Sequence, residues 1–151
     1  MSRAFVKEGD GEGDGLPDRE IPPHTNYVTA NGLALIDAEL ARLTAALADI
    51  GDDRAARAAL ERDLRYWRSR RATAELVPTP TDTGEVRFGS TVTIERDDSR
   101  RQMWRIVGED EADPAKGALS YVAPLALALT GKRIGDVVEV AGGEAEIIAI
   151  A

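Results

Sequence analysis

The chain has 151 residues with 43% hydrophobic but only 5% aromatic content, no cysteine, one histidine and a formal net charge of -8. This length suits one ordinary domain or two small ones, with cores filled by aliphatic side chains. The composition excludes a disulfide framework, a thiolate metal site and a cysteine nucleophile, and the acidic balance argues against a free-standing DNA or RNA binder, which shows a basic face.

Residues 1–24 read as an acidic, disordered tail. They carry three Lys+Arg against six Asp+Glu, and Gly9 to Gly15 alternates glycine with acids. Such a stretch has nothing to bury that would offset its conformational entropy. A solubilising arm and a partner-binding arm both remain open. Met1 to Glu8 has no apolar h-region, and no apolar run approaches the ~20 residues of a membrane span, so neither a signal peptide nor a membrane segment is expected and the cytoplasm is. His24, alone and without cysteine, does not make a zinc site.

A helix is expected from Thr29 or Asn31, either of which can cap it. Leu33, Ile36, Leu40, Leu43, Leu47 and Ile50 then recur at spacings of three and four, an a/d heptad seam. The seam stops at Ile50-Gly51-Asp52-Asp53. Gly51 suits a helix C-terminus, and the aspartates suit the start of the next helix. A second helix is expected from Arg54 to Leu76, with Leu60, Leu64, Trp67, Arg71 and Ala74 on its seam. Two such seams joined by a few residues give an antiparallel hairpin, or coiled coil, over residues 25–78. Pro78 and Pro80 end it, and residues 79–85 form a linker.

From residue 86 to 151 the periodicity becomes that of strands. Ser90–Glu95 and Gln102–Val107 flank the turn Asp97-Asp98-Ser99, and Leu119–Val122 is a short third strand. A short helix, Leu125–Thr130, follows Pro124 and closes at Gly131. Val137–Val140 and Ala145–Ile150 make a terminal hairpin around Gly142-Gly143. The expected class is therefore α+β: an N-terminal helical hairpin and a C-terminal antiparallel β-sheet domain with one short helix.

Several clusters carry chemistry. Asp49, Asp52 and Asp53 at the hairpin tip offer hard oxygen ligands for part of a Mg²⁺ site, or serve as ordinary helix caps. Arg62, Arg65, Arg68, Arg70 and Arg71 crowd the end of the second helix remote from the tip. They suit contacts to RNA phosphate or an acidic protein surface, or a solvated face paired with local acids. Arg71 sits on the seam, where its stem can pack while its head snorkels. Trp67 reads as core. Tyr66 reads as packing where the hairpin meets the C-terminal domain. Glu109, Asp110, Glu111 and Asp113 form an acidic loop, either solvated or cation-binding.

The string Arg105-Ile106-Val107-Gly108-Glu109-Asp110-Glu111-Ala112-Asp113 resembles the C-terminal domain of the GreA/GreB transcript-cleavage factors. So do Phe88 to Val92, Ser120 with Pro124-Leu125-Ala126, Gly131-Lys132, Gly135 to Val138 and Gly142-Gly143-Glu144. Asn26 to Thr29, with Gly32 and Leu33, resembles the start of that family's first helix. The resemblance implies an FKBP-like C-terminal domain without isomerase activity, docked on a rim of RNA polymerase through positions matching Val122, Ala123 and Pro124, to which Tyr121 adds a candidate anchor. It implies a coiled coil entering the secondary channel, whose tip carboxylates share a catalytic Mg²⁺ with the polymerase that cleaves backtracked RNA. The factor would have no catalytic residue of its own, would meet nucleic acid only within the polymerase complex, and is expected to be a monomer. The chain departs from the family at the hairpin. The first seam spans only ~26 Å at 1.5 Å per residue, and the family's acid–acid–asparagine tip motif is missing. Short hairpins also occur in the similar Rnk-type regulators, which bind polymerase without promoting cleavage.

Overall fold

The computed structural model describes residues 16–151. The described chain divides into two compact units, one holding residues 16–24 with Ile36–Thr73, the other Thr25–Leu35 with Ala74–Ala151. Residues 25–35 and 74–85, expected in hairpin and linker, thus group with the sheet. The elements in order are β1 (Tyr27–Val28), α1 (Ala30–Asp49), α2 (Arg54–Thr73), β2 (Glu75–Leu76), β3 (Thr91–Arg96), β4 (Arg101–Val107), β5 (Ala118–Ser120), α3 (Pro124–Leu129), β6 (Val137–Val140) and β7 (Gly143–Ile150). Among the described residues, no helix is long and apolar enough to cross a membrane.

In the first unit the heptad seams behave as their spacing demands. Ile36 and Leu43 of α1 and Leu64 of α2 are buried, while Leu40, Leu47, Ile50, Leu60 and Trp67 are half-buried. The helices run antiparallel, so Asp37 near the start of α1 meets Arg71 near the end of α2, at 2.7 Å. Gly51 turns the chain with φ +71°, a conformation open to glycine without strain. Asp53 then caps α2: its carboxylate accepts the Ala56 N–H at 3.0 Å, and Arg57 donates to the Gly51 carbonyl.

Three expectations need correction here. Residues 16–24 are not a loose tail: without helix or strand of their own, they pair with α2 through Asp18–Arg65 and Arg19–Asp63. Residues 1–15 lie outside the described residues. The residue that α2 buries at its end is Arg70, not its seam neighbour Arg71, which stays exposed and paired. Finally, α2 stops at Thr73, because Glu75–Leu76 leaves the helix to pair in parallel with Tyr27–Val28.

The second unit is a five-stranded sheet in the order β5-β4-β3-β7-β6. Its pairs are antiparallel except β4–β5, which is parallel. Alternation puts Val92 and Ile94 of β3 on the buried face, with Ile106, Val138, Ala145 and Ile147. A register shift in the β3–β7 ladder between Thr93 and Ile94 resets the alternation of β7, so that Ile150 is buried alongside Ala145 and Ile147. The short helix α3, begun by Pro124, closes this core with Ala126 and Leu129. The β6–β7 turn sits at Gly142 and Gly143, as expected, both with positive φ.

The root of α1 is also built in this unit. Thr29 is the N-cap, its Oγ1 accepting the Gly32 N–H at 2.9 Å. The same hydroxyl donates to Glu111 Oε1 at 2.5 Å, and Asn31 Nδ2 donates to Glu111 Oε2 at 2.9 Å. The carboxylate therefore faces the positive end of the helix dipole. A Cβ on Gly32 would lie 2.8 Å from Glu111 Oε1, and one on Gly108 would lie 2.3 Å from the Tyr27 carbonyl oxygen. At Gly108 the neighbour is backbone, so close approach demands glycine; at Gly32 a side chain would push on the Glu111 carboxylate that binds Thr29 and Asn31.

Two stability outcomes follow. Asp53→Ala removes the α2 cap and lowers unfolding stability by about 1 kcal/mol, whereas Asp52→Ala changes it little; urea denaturation of both variants checks this. Glu111→Ala leaves the buried Thr29 hydroxyl and Asn31 without their acceptor and costs about 1.5–3 kcal/mol, read as a lower denaturation midpoint.

Candidate functional site

At the hairpin tip, Asp49, Asp52 and Asp53 are all exposed. The turn brings them onto one short stretch of surface, but they are not equivalent. Asp53 spends one oxygen on the α2 cap, while Asp49 and Asp52 sit on either side of the Gly51 turn. Among the described residues, no group of three or more acidic or histidine side chains is gathered closely enough to hold a metal ion. The tip carboxylates alone thus make an incomplete oxygen set, and one to which phosphates, water or another protein's carboxylates would have to be added.

The arginines of α2 separate into different environments. Arg65 and Arg68 are exposed and line a groove of about 400 Å³ together with Leu47, Glu61 and Leu64. Arg62 is half-buried, 3.6 Å from Asp63. Arg70 is 1% exposed, so it is structural and not available to a partner. The spacing of Arg62, Arg65 and Arg68 puts three cations along one side of the helix. Periodicity alone could not separate Arg70 from Arg71, since either can lie at the edge of a seam.

Residues 16–24 lie against this arginine-bearing helix. Asp18 Oδ1 accepts from Arg65 Nε at 2.7 Å. The Arg19 guanidinium sits 3.8 Å from the centroid of the Tyr66 ring and 3.4 Å from Asp63. Tyr66 is consequently buried, and its ring meets Trp67 edge-on at 5.1 Å. Arg19 also approaches α1: the Glu39 carboxyl is held below its ordinary range first by the hydrogen bond from Arg42 and more weakly by the charges of Arg42 and Arg19. Tyr66 was expected to pack towards the C-terminal domain; within its own unit its cover is Arg19.

In the sheet unit the segment Tyr121 to Pro124 leads from β5 into α3. Tyr121 is engaged internally. Its hydroxyl donates to the Thr25 carbonyl, and its ring packs against Tyr27 and Phe88 with centroids 5.5 and 5.6 Å away. Tyr27 and Phe88 complete the cluster at 5.8 Å. Val122 and Ala123 are half-buried, Pro124 is exposed, and Leu127 on the next turn is 64% exposed. Pro124 also lines an open groove of about 590 Å³ together with Leu125, Val140, Ala141, Arg96 and Glu139. The lining thus mixes apolar side chains with one cation and one anion.

Of the acidic loop, Glu111 is absorbed by the root of α1. No local signal in the sequence pairs Glu111 with Thr29, because the partners are 82 residues apart.

Residues 80–151 match the family model described as "Transcription elongation factor, GreA/GreB, C-term". The transcription elongation factor GreA of a Bradyrhizobium species is 46% identical over 71 residues, and this match spans 46% of the chain but only 45% of that relative. The crystal structure of GreA factor homolog 1 (Gfh1) of Thermus thermophilus aligns with a TM-score of 0.41 at 22% identity, over 85% of this chain and 99% of that one. The transcription elongation factor GreA of Chloroflexus aggregans is 35% identical over 136 residues, covering 76% of this chain and 87% of that protein. On that match, which takes in the helices as well as the sheet, the chain belongs to the GreA/GreB family of transcription elongation factors.

Proposed function

We propose that the chain is an accessory factor of RNA polymerase, without a catalytic residue of its own, that docks through its C-terminal unit and presents the hairpin tip at the secondary channel to stimulate cleavage of backtracked RNA. The observation that carries this reading is the exposed pair Asp49 and Asp52 at the end of a hairpin whose buried seam holds the tip in a defined shape. Incomplete as a metal site, this pair suits a Mg²⁺ completed by the ligands of another protein. The metal would lower the pKa of an attacking water and neutralise charge on the scissile phosphate. Docking is assigned to Val122, Ala123 and Pro124, while Tyr121 is held by its contacts with Thr25, Tyr27 and Phe88.

A second reading has its own support. α1 is 20 residues long, about 30 Å, and Asp53 is already used as a helix cap. Both features favour a regulator of the Rnk type that occupies the channel without promoting cleavage.

Backtracked elongation complexes with Mg²⁺ separate the two. On the first reading, Asp49→Asn with Asp52→Asn lowers stimulated cleavage at least about tenfold while polymerase affinity stays within about twofold. Asp53→Asn isolates a metal role, because asparagine caps a helix as well as aspartate does. Binding by the unaltered protein without any cleavage selects the second reading, and no binding to polymerase sinks both.

Docking has a separate test. Ala123 is the N-cap of α3 and offers no side-chain cap. Ala123→Asp supplies that cap, so thermal stability is expected to hold or rise slightly. The same carboxylate puts a charge on the apolar docking surface and is expected to weaken polymerase binding by about tenfold or more.

A further inference from the structure

Residues 16–24 have the marks of an element that can leave. They contribute no helix or strand. Their larger apolar side chains, Leu16 and Ile21, remain 38% and 41% exposed, so little apolar area holds them down. What holds them is polar and accessible to water: the Asp18–Arg65 pair has side chains 72% and 49% exposed, and the Arg19–Asp63 pair 36% and 30%. Pairs of this kind are weak and screened by salt. Segments with few buried apolar contacts lie at the low end of local stability. Pro17, Pro22 and Pro23 restrict the free segment, which makes docking reversible at small entropic cost.

The contacts are also selective. Asp18 takes the guanidinium of Arg65, the exposed arginine at the centre of the Arg62–Arg65–Arg68 stripe. The Arg19 guanidinium sits over the Tyr66 ring. Together they cover the Arg65 guanidinium, the group this face would offer to an anionic surface, with the Arg19 cation anchored on the electron-rich face of the Tyr66 ring. Residues 1–24 carry six acids against three bases, a charge that opposes an approaching anion, and of these Asp18 occupies the site itself.

We propose that residues 16–24 are a displaceable strap, an internal competitor that occupies Arg65 in the free protein, held in place by Arg19 on Tyr66, and yields Arg65 when an anionic surface of the polymerase complex arrives. This rests on the polymerase-binding reading and adds a means of regulating it: the strap sets how readily the hairpin engages.

The test uses the full-length chain and its Asp18→Ala/Arg19→Ala variant, titrated against backtracked polymerase complexes at low and moderate salt. The variant is expected to bind about tenfold tighter at low salt, with the difference shrinking as salt screens the Asp18–Arg65 pair in the unaltered protein. Adding Arg65→Ala to the variant is expected to abolish the gain. Hydroxyl-radical footprinting of the free proteins supplies a readout independent of polymerase: Tyr66 is expected to be labelled in the variant and protected in the unaltered chain. Labelled Tyr66 with unchanged polymerase affinity overturns the competitor role while leaving the polymerase reading intact. Protected Tyr66 in the variant overturns the assignment of Asp18 and Arg19 as the contacts that hold the strap. Failure of every protein to bind polymerase overturns the parent reading and the strap's role together.

Discussion

Both ends of the helical hairpin are tied at one place, and the rest of the structure depends on that tie. Tyr27–Val28 enters α1 and Glu75–Leu76 leaves α2, and these four residues pair as a two-stranded parallel ladder. Glu111 adds the third strap of the knot by accepting from the Thr29 hydroxyl and the Asn31 amide at the first turn of α1. A long helix has unsatisfied N–H groups and a partial positive charge at its start. Here the cap, the carboxylate and the close-approach glycines answer both at once. The first turn of α1 consequently belongs to the sheet unit, although the rest of the helix belongs to the hairpin.

The aromatic economy of the chain follows the same logic. With 5% aromatic residues, the protein places three rings, Tyr27, Phe88 and Tyr121, in one cluster beside that ladder. Tyr121 looks like a partner-binding anchor when only its neighbours in sequence are considered. In the fold its hydroxyl reaches the Thr25 carbonyl and its ring is packed. Tyr121 is thus committed to internal contacts, while it, Val122 and Ala123 are equally half-buried and Pro124 is exposed.

Charge is organised by position along the hairpin. The tip is acidic, the remote half of α2 is basic, and the acidic residues 16–24 lie on that basic half. The net charge of -8 therefore conceals a cationic stripe that the chain partly neutralises itself. This local cancellation is why overall charge is a poor guide to what the helix face can meet.

The sequence by itself determined the two helices and the five strands of the sheet, though not the β1–β2 ladder that ends α2 at Thr73. Spacings of three and four specify two helices whose apolar stripes must face each other, and alternation with punctuating glycines specifies the strands, because each pattern has one geometry that buries all its apolar residues on one side. The short helix after Pro124 and the Gly142-Gly143 turn are local chemistry and were equally legible, as was the family, since its motifs are contiguous strings. Only the tertiary structure decided which charged and aromatic side chains are spent on holding the fold. Arg70 is buried and Arg71 is not, Glu111 clamps a helix start that lies 82 residues away, Asp18 and Arg19 cover α2, and the Tyr121 hydroxyl is spent on the Thr25 carbonyl. Hydrogen bonds and ion pairs depend on distances of a few ångströms between groups that the chain alone leaves far apart, so no local period records them.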